Sequence, residues 1–200
     1  MADLIAVVAA YLVGSIPFAQ LLSKRRGIDL RRVGSGNVGA TNVLRTLGVR
    51  PAVVAMMLDA VKGTVAVLVA QRLTNGVAAP VMAGLASMIG HVYPVWLRFR
   101  GGKGVATAAG AFAVLTPVAV AAAMGVFLLT VALTRFISVG SMAAALTLAG
   151  WAIASDAPTA VGIGAAIGAA LVIIGHRANV LRLVAGTERR VGQRGVRELT

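Results

Sequence analysis

The chain has 200 residues, 58% hydrophobic and only 12% charged, about half the charged share of a soluble domain. Its formal net charge is +13, yet aromatics make up 4%, too few for the stacking platforms of RNA readers, so nucleic acid is not the expected partner. Cysteine is absent, which excludes disulfides, thiolate catalysis and thiolate metal sites.

The N-terminus, Met1-Ala2-Asp3, lacks the basic region of a cleaved signal peptide, so the first apolar run is expected to be retained. Runs of Ala, Val, Leu, Ile and Gly, several near the ~20 residues that cross a bilayer core, predict spans at 4–22, 51–71, 77–97, 105–116, 117–134, 138–154 and 158–175. The stretch 105–134 is long for one crossing and short for two, and Pro117 marks the expected division. A single crossing there would move His176 and the basic tail to the opposite side. The expected fold is therefore an all-α integral membrane protein of seven transmembrane helices, one polytopic domain over residues 1–200.

Threading those spans puts 23–50, 98–104, 135–137 and 176–200 on one side. Of the 19 Lys and Arg, that side holds all but Arg72 and Lys62, Arg194 and Arg197 included. Such asymmetry predicts a cytoplasmic basic side, with the N-terminus outside and the C-terminus inside.

Polar residues collect into a few segments. Gly14-Ser15-Ile16-Pro17-Phe18 predicts a break near the inner end of the first span, where Pro17 frees a backbone carbonyl. The strongest signal follows at Gly34-Ser35-Gly36-Asn37-Val38-Gly39-Ala40-Thr41-Asn42. Gly34, Gly36 and Gly39 permit positive φ and close backbone approach; Ser35, Asn37, Thr41 and Asn42 add neutral hydrogen-bonding groups. The next residues, through Arg45 to Leu47, read as a short amphipathic helix at the membrane surface. Arg45 lies one turn after Thr41 on the same face. A glycine turn running into a helix N-terminus, beside a cation, suits a phosphate.

Asp59 and Lys62 share a face of the second span, where ionisable groups must pair or face the protein interior; a structural pair is expected. His91, in Gly90-His91-Val92-Tyr93-Pro94, reads as a structural histidine at the interface. Gly101-Gly102-Lys103-Gly104 frames a lysine with glycines at a helix start, without the spacing of a Walker A loop. Ser138 and Ser141 open the sixth span; N-capping is expected for one, with ligand contact open for the other. His176-Arg177-Ala178-Asn179 begins the tail, and helical continuation would align His176 with Asn179. Two histidines and scattered acids offer no metal-ligand cluster, and GxSxG is absent.

Together, Gly14-Ser15-Ile16-Pro17-Phe18, Gly34-Ser35-Gly36-Asn37-x-Gly39-Ala40-Thr41-Asn42, Gly90-His91-x-x-Pro94 with Gly101-Gly102-Lys103-Gly104-Val105-Ala106-Thr107, and His176-Arg177-x-Asn179 with Gly186-Thr187-Glu188 resemble the PlsY family of bacterial acyl-phosphate:glycerol-3-phosphate acyltransferases. The resemblance runs the length of the chain and in order. It implies a seven-helix, multi-pass enzyme of the bacterial inner membrane with its site facing the cytoplasm. That enzyme would move a fatty acyl group from acyl phosphate to the sn-1 hydroxyl of glycerol 3-phosphate. It implies no cofactor and no metal, and we expect a monomer with the bilayer and the two substrates as partners.

By match to the family motifs, Ser35, Gly36 and Asn37 would hold the acyl-phosphate head, flanked by Gly34 and Gly39. Thr41, Arg45, Lys103, Ser141, His176 and Asn179 would gather the glycerol phosphate. Ser35, Lys103 and His176 are the expected catalytic residues, with the general base open between His176 and the acceptor's own phosphate. The alternative is a transporter of a phosphorylated metabolite, which would also use cationic glycine loops and Asp59 with Lys62. It predicts polar groups in both leaflets, whereas here they lie on one side.

Overall fold

The computed structural model describes residues 1–193, so Arg194 and Arg197 of the basic tail lie outside the described residues. Those residues form α1 (Ala2–Gly14), α2 (Phe18–Lys24), α3 (Ala40–Leu47), α4 (Val49–Leu73), α5 (Ala78–Val92), a 3-10 turn (Val95–Leu97), α6 (Val105–Leu115), α7 (Pro117–Thr134), α8 (Ile137–Ala154), α9 (Thr159–Gly175) and α10 (Arg177–Val184). No strand occurs among them.

The proline breaks fall where the sequence puts them. Between α1 and α2, Pro17 offers no N–H to continue the helix, and the Ile16 carbonyl, between the two helices, accepts Phe18 N–H at 3.1 Å and the Lys62 ammonium at 3.0 Å. Pro117 occupies the first turn of α7, where its missing N–H costs nothing, and it separates α6 from α7. Five segments are long and apolar enough to cross: Ala2–Lys24, Val49–Leu73, Ala78–Leu97, Pro117–Thr134 and Ile137–Ala154. A sixth exists only if α9 and α10 are taken together, and that pair is bent by 54°. The apolar α6 has 11 residues, roughly 17 Å at 1.5 Å per residue, about half a bilayer core. The straight continuation expected past Gly175 is likewise replaced by that bend, with His176 at its corner.

Without a strong hydrophobic drive between helices in lipid, small residues set the approach. Gly63 of α4 faces the α6 backbone at Thr107 and Ala111, and Gly110 of α6 faces Ala60 of α4; a Cβ on either would overlap backbone. Gly14 and Gly90 do the same between α1 and α5. Met88, Phe112, Leu148 and Val172 fill the core among α5 to α9. A second cluster joins α2, the 30–38 loop, α3 and the start of α4 to Leu97 of the 3-10 turn. It fastens the first polar loop to the segment leading into Lys103. Leu128, Leu129 and Leu133 of α7 point outward, as a lipid-facing surface would.

Candidate functional site

Asn42 organises the glycine loop. Its amide oxygen accepts the Ser35 N–H at 2.9 Å, and its Nδ2 donates toward the carbonyls of Leu30 (3.1 Å), Val33 (3.0 Å) and Asn37 (3.0 Å). Asn42 is buried, and Gly34 passes so close to its amide that a Cβ there would collide with it. Gly34 and Gly36 take the left-handed conformation at φ +63° and +70°, which a side chain would strain. Gly39 does not use that freedom: at φ −140° it is extended and forms the N-cap of α3.

The Ser35 and Gly36 amides are committed within the loop, to Asn42 Oδ1 and to the Val33 carbonyl at 3.0 Å. The amides from Asn37 to Thr41, leading into the first turn of α3, find no backbone acceptor among the described residues. Donors available to an anion therefore begin later in the loop than its first glycine. On the other flank, Gln20 of α2 ties the loop down, donating to Asp29 Oδ1 at 2.8 Å and accepting Leu30 N–H at 3.2 Å. The Arg31 guanidinium, with Gln20 behind it, holds the Asp29 carboxyl well below the usual carboxylate range.

The lysine turn is closed by two backbone bonds, Gly101 N–H to Val92 O and Gly102 N–H to His91 O, both 3.0 Å. Gly104, at φ +79°, is the N-cap of α6. Lys103, between these glycines, sends its ammonium to Asn179 Oδ1. Burial lowers the Lys103 pKa to about 8, with Arg182 and Arg45 adding to the effect and Glu188 opposing it.

The tail supplies the rest. Asn179 Nδ2 donates to Glu188 Oε1 at 2.7 Å, Ser138 Oγ donates to the same oxygen at 3.0 Å, and Arg182 Nε donates to Oε2 at 2.7 Å. Burial works against the Glu188 charge, but these three donors outweigh it and hold the carboxyl below its usual range. The tail is also anchored at Arg135, whose carbonyl accepts Val191 N–H and whose guanidinium donates to Val191 O, each at 2.7 Å. At the bend, His176 Nδ1 lies 2.8 Å from the Val172 carbonyl. A carbonyl only accepts, so Nδ1 carries the hydrogen and neutral His176 keeps its lone pair on Nε2. Burial, with Lys103 nearby, lowers its pKa to about 4.

Of the sequence-derived residues, Lys103, His176 and Asn179 share this buried region. Arg45 belongs to it electrically: partial burial and the fields of Arg189 and Arg182 lower its pKa, against Glu188. Thr41 begins the same face of α3. Val38 of the glycine loop lines one recess with Gly101, Gly102 and Ile16 to Phe18, so loop, turn and first-span break meet at one end of the bundle. Ser35, Gly36 and Asn37 are near the surface and make no hydrogen bond to Lys103, His176 or Asn179 among the described residues. Ser141 binds back to Ile137 O at 2.9 Å. Neither serine of α8 caps it; Phe136 is its N-cap, and Ser138 is held by Glu188. Asn42 and Glu188 stand in the quoted motifs, but neither is among the expected site residues; the structure makes both of them structural centres.

Asp59 and Lys62 do pair, at 2.8 Å, and His91 joins them.

Residues 4–186 match the family model described as glycerol-3-phosphate acyltransferase. A glycerol-3-phosphate acyltransferase of Geobacter sulfurreducens is 47% identical over 191 residues, covering 94% of this chain and 97% of that one. One from Myxococcus xanthus is 46% identical, covering 92% and 97%. The crystal structure of PlsY, an integral membrane glycerol 3-phosphate acyltransferase, in its glycerol 3-phosphate form superposes with a TM-score of 0.92 at 39% identity over 96% of both chains. Its lysophosphatidic acid form gives 0.90 at 38% identity, again over 96% of both.

Proposed function

The chain belongs to the glycerol-3-phosphate acyltransferase family, and we propose that it moves a fatty acyl group from acyl phosphate to the sn-1 hydroxyl of glycerol 3-phosphate. The protein is a multi-pass membrane acyltransferase acting on glycerol 3-phosphate. Acyl phosphate as donor, and lysophosphatidic acid with inorganic phosphate as products, complete the proposal. We further propose one polytopic unit of seven membrane segments with α6 as the short one. The N-terminus lies outside, and a monomer works at the cytoplasmic face of the bacterial inner membrane.

The acceptor hydroxyl attacks the acyl carbon, the bond from that carbon to the phosphate oxygen breaks, and phosphate departs. An acyl phosphate is already activated, so the protein's task is to orient two anions and compensate their charge. The Ser35 hydroxyl and the amides from Asn37 toward the N-terminus of α3 hold the donor head, with Gly34, Gly36 and Gly39 shaping the loop that presents them. Thr41, Arg45, Lys103, Ser141, His176 and Asn179 hold the acceptor, with Lys103 and Arg45 on its phosphate.

The hydroxyl proton needs a base. With a pKa of about 4, His176 is weaker than a phosphate monoester, whose second ionisation lies at about 6. The acceptor's own phosphate is therefore the better acceptor of that proton, and His176 Nε2 orients the hydroxyl.

The observation that carries this assignment is the bond from Lys103 to Asn179, itself held by Glu188. It joins the lysine turn to the tail, as a shared anion site requires. A transporter gains no support from Asp59 and Lys62, which are closed upon each other and His91. The test is purified protein in lipid with glycerol 3-phosphate and, separately, acyl phosphate or acyl-CoA. Lysophosphatidic acid from acyl phosphate alone is expected; product only from acyl-CoA overturns the donor assignment.

A further inference from the structure

Asp59 and Lys62 of α4 and His91 of α5 are 2%, 3% and 9% exposed, and they sit beneath the turn that carries Lys103. Lys62 Nζ is 2.8 Å from Asp59 Oδ1 and 2.9 Å from His91 Nδ1, and it donates to the Ile16 carbonyl at 3.0 Å. His91 Nδ1 is 3.4 Å from the same carboxylate oxygen. Asp59 Oδ1 has no aligned hydrogen bond, so it acts on Lys62 as a counter-ion. One ammonium thus ties three separate elements together: its own helix, the imidazole on α5, and the carbonyl freed at the first-span break.

The far side of His91 meets the lysine turn. Its carbonyl receives the Gly102 N–H at 3.0 Å, and its Nε2 edge lies against Gly102, where a Cβ would overlap the ring. Gly101 is packed as closely on the His91 carbonyl and on Pro94. Lys103 is the next residue. A rotation of the His91 ring would therefore displace Gly102 and the chain leading into Lys103. As stability alone, a buried ion pair is a poor choice, since apolar side chains of similar volume serve as well or better. Its position against the turn gives it another use.

We infer that Lys62, with Asp59 as its counter-ion, is a positioning residue that locks the His91 ring and thereby clamps the Gly101–Gly102 turn that presents Lys103 to the acceptor phosphate. The inference rests on the role given to Lys103 above.

Lys62→Met removes the donor but leaves Asp59 buried and unpaired, which can prevent folding. The double variant Asp59→Asn/Lys62→Met removes both charges and is the decisive protein. Its thermal midpoint is expected near wild type. Amide exchange at Gly101 and Gly102 is expected to quicken by about tenfold or more, while the Asn42-bound amide of Ser35 keeps its rate. The KM for glycerol 3-phosphate is expected to rise about fivefold or more, with the acyl phosphate KM and kcat within about twofold of wild type.

A pair that only stabilises would lower the active fraction without separating the two KM values. Wild-type exchange at Gly101 and Gly102, or an unchanged acceptor KM in the folded double variant, overturns the inference. Wild-type protein that makes no lysophosphatidic acid would instead overturn the functional assignment, and the exchange rates would still decide whether Lys62 clamps the turn.

Discussion

Lys103 and Asn179, 76 positions apart, are joined by a hydrogen bond from ammonium to side-chain amide oxygen. The nitrogen of the same amide is held by Glu188 at 2.7 Å. Asn179 therefore works as a two-ended connector whose orientation is set by its partners: oxygen toward the cation, nitrogen toward the anion. An arriving phosphate would compete with Asn179 for Lys103, so this bond is expected to loosen on binding.

Removing that cation should be costly. Lys103→Ala is expected to lower kcat/KM by at least about tenfold, some 1.4 kcal/mol of transition-state stabilisation. Steady-state kinetics on folded protein check it, and an unchanged kcat/KM would remove Lys103 from the site.

The lowered pKa of Lys103 sets a pH dependence. The lysine is cationic below about 8 and loses its charge as pH rises through that value. Because kcat/KM reports the free enzyme, it should fall for glycerol 3-phosphate above pH ~8, about two units earlier than an ordinary lysine would allow. In Lys103→Arg that alkaline limb should disappear, whatever the absolute rate.

His176 should leave no such limb. If it orients the hydroxyl rather than taking its proton, the acid limb of kcat/KM stays near the acceptor's second ionisation at about 6. It should do so in wild type and in His176→Gln alike. An acid limb near 4 in wild type that vanishes in His176→Gln would make His176 the base.

Glu188→Gln should weaken the tail. The variant loses the charge to which Ser138, Asn179 and Arg182 donate, and a loss of about 1.5–3 kcal/mol is expected from the charged hydrogen bonds. The Glu188 carboxyl is held below its ordinary value of 4.5. Its contribution is therefore complete above that pH and is lost as pH falls through the lower native value. Thermal midpoints of the two proteins should differ at pH 7 and converge in acid.

Asn42→Asp isolates the glycine loop. It keeps the acceptor for Ser35 N–H and removes the donor shared by Leu30, Val33 and Asn37. A stability loss of about 1–3 kcal/mol is expected, with the KM for acyl phosphate raised more than that for glycerol 3-phosphate. Equal changes in both would mean that the loop does not distinguish the two anions.

Features set by a few neighbouring residues could be read directly from the chain. Pro17 and Pro117 marked helix breaks because a proline lacks its N–H wherever it stands. The glycines around Lys103 and the run from Val43 to Leu47 announce a turn and an amphipathic helix for similarly local reasons, although the helix starts three residues earlier, at Ala40. Asn42 and Glu188 stand in their motifs, but their roles are not legible there because key partners lie elsewhere: Ser138 is 50 positions from Glu188, and Asn42 reaches back to Leu30. Gly39 shows that glycine permits positive φ without requiring it. The 54° bend at His176 has no proline to announce it, and the length of α6 depends on where its flanking turns close. Lys103, His176 and Asn179 were named by their motifs, but their meeting point depends on packing of α6, α9 and the tail.

A donor and an acceptor bound side by side would pass the acyl group directly from one to the other. Phosphate release from acyl phosphate, followed in a single turnover with and without glycerol 3-phosphate, tests this most directly. The predicted result is negligible release until the acceptor is added, then one phosphate for each lysophosphatidic acid formed. A burst of phosphate equal to the enzyme concentration without acceptor, or no lysophosphatidic acid from acyl phosphate at any acceptor concentration, would contradict it.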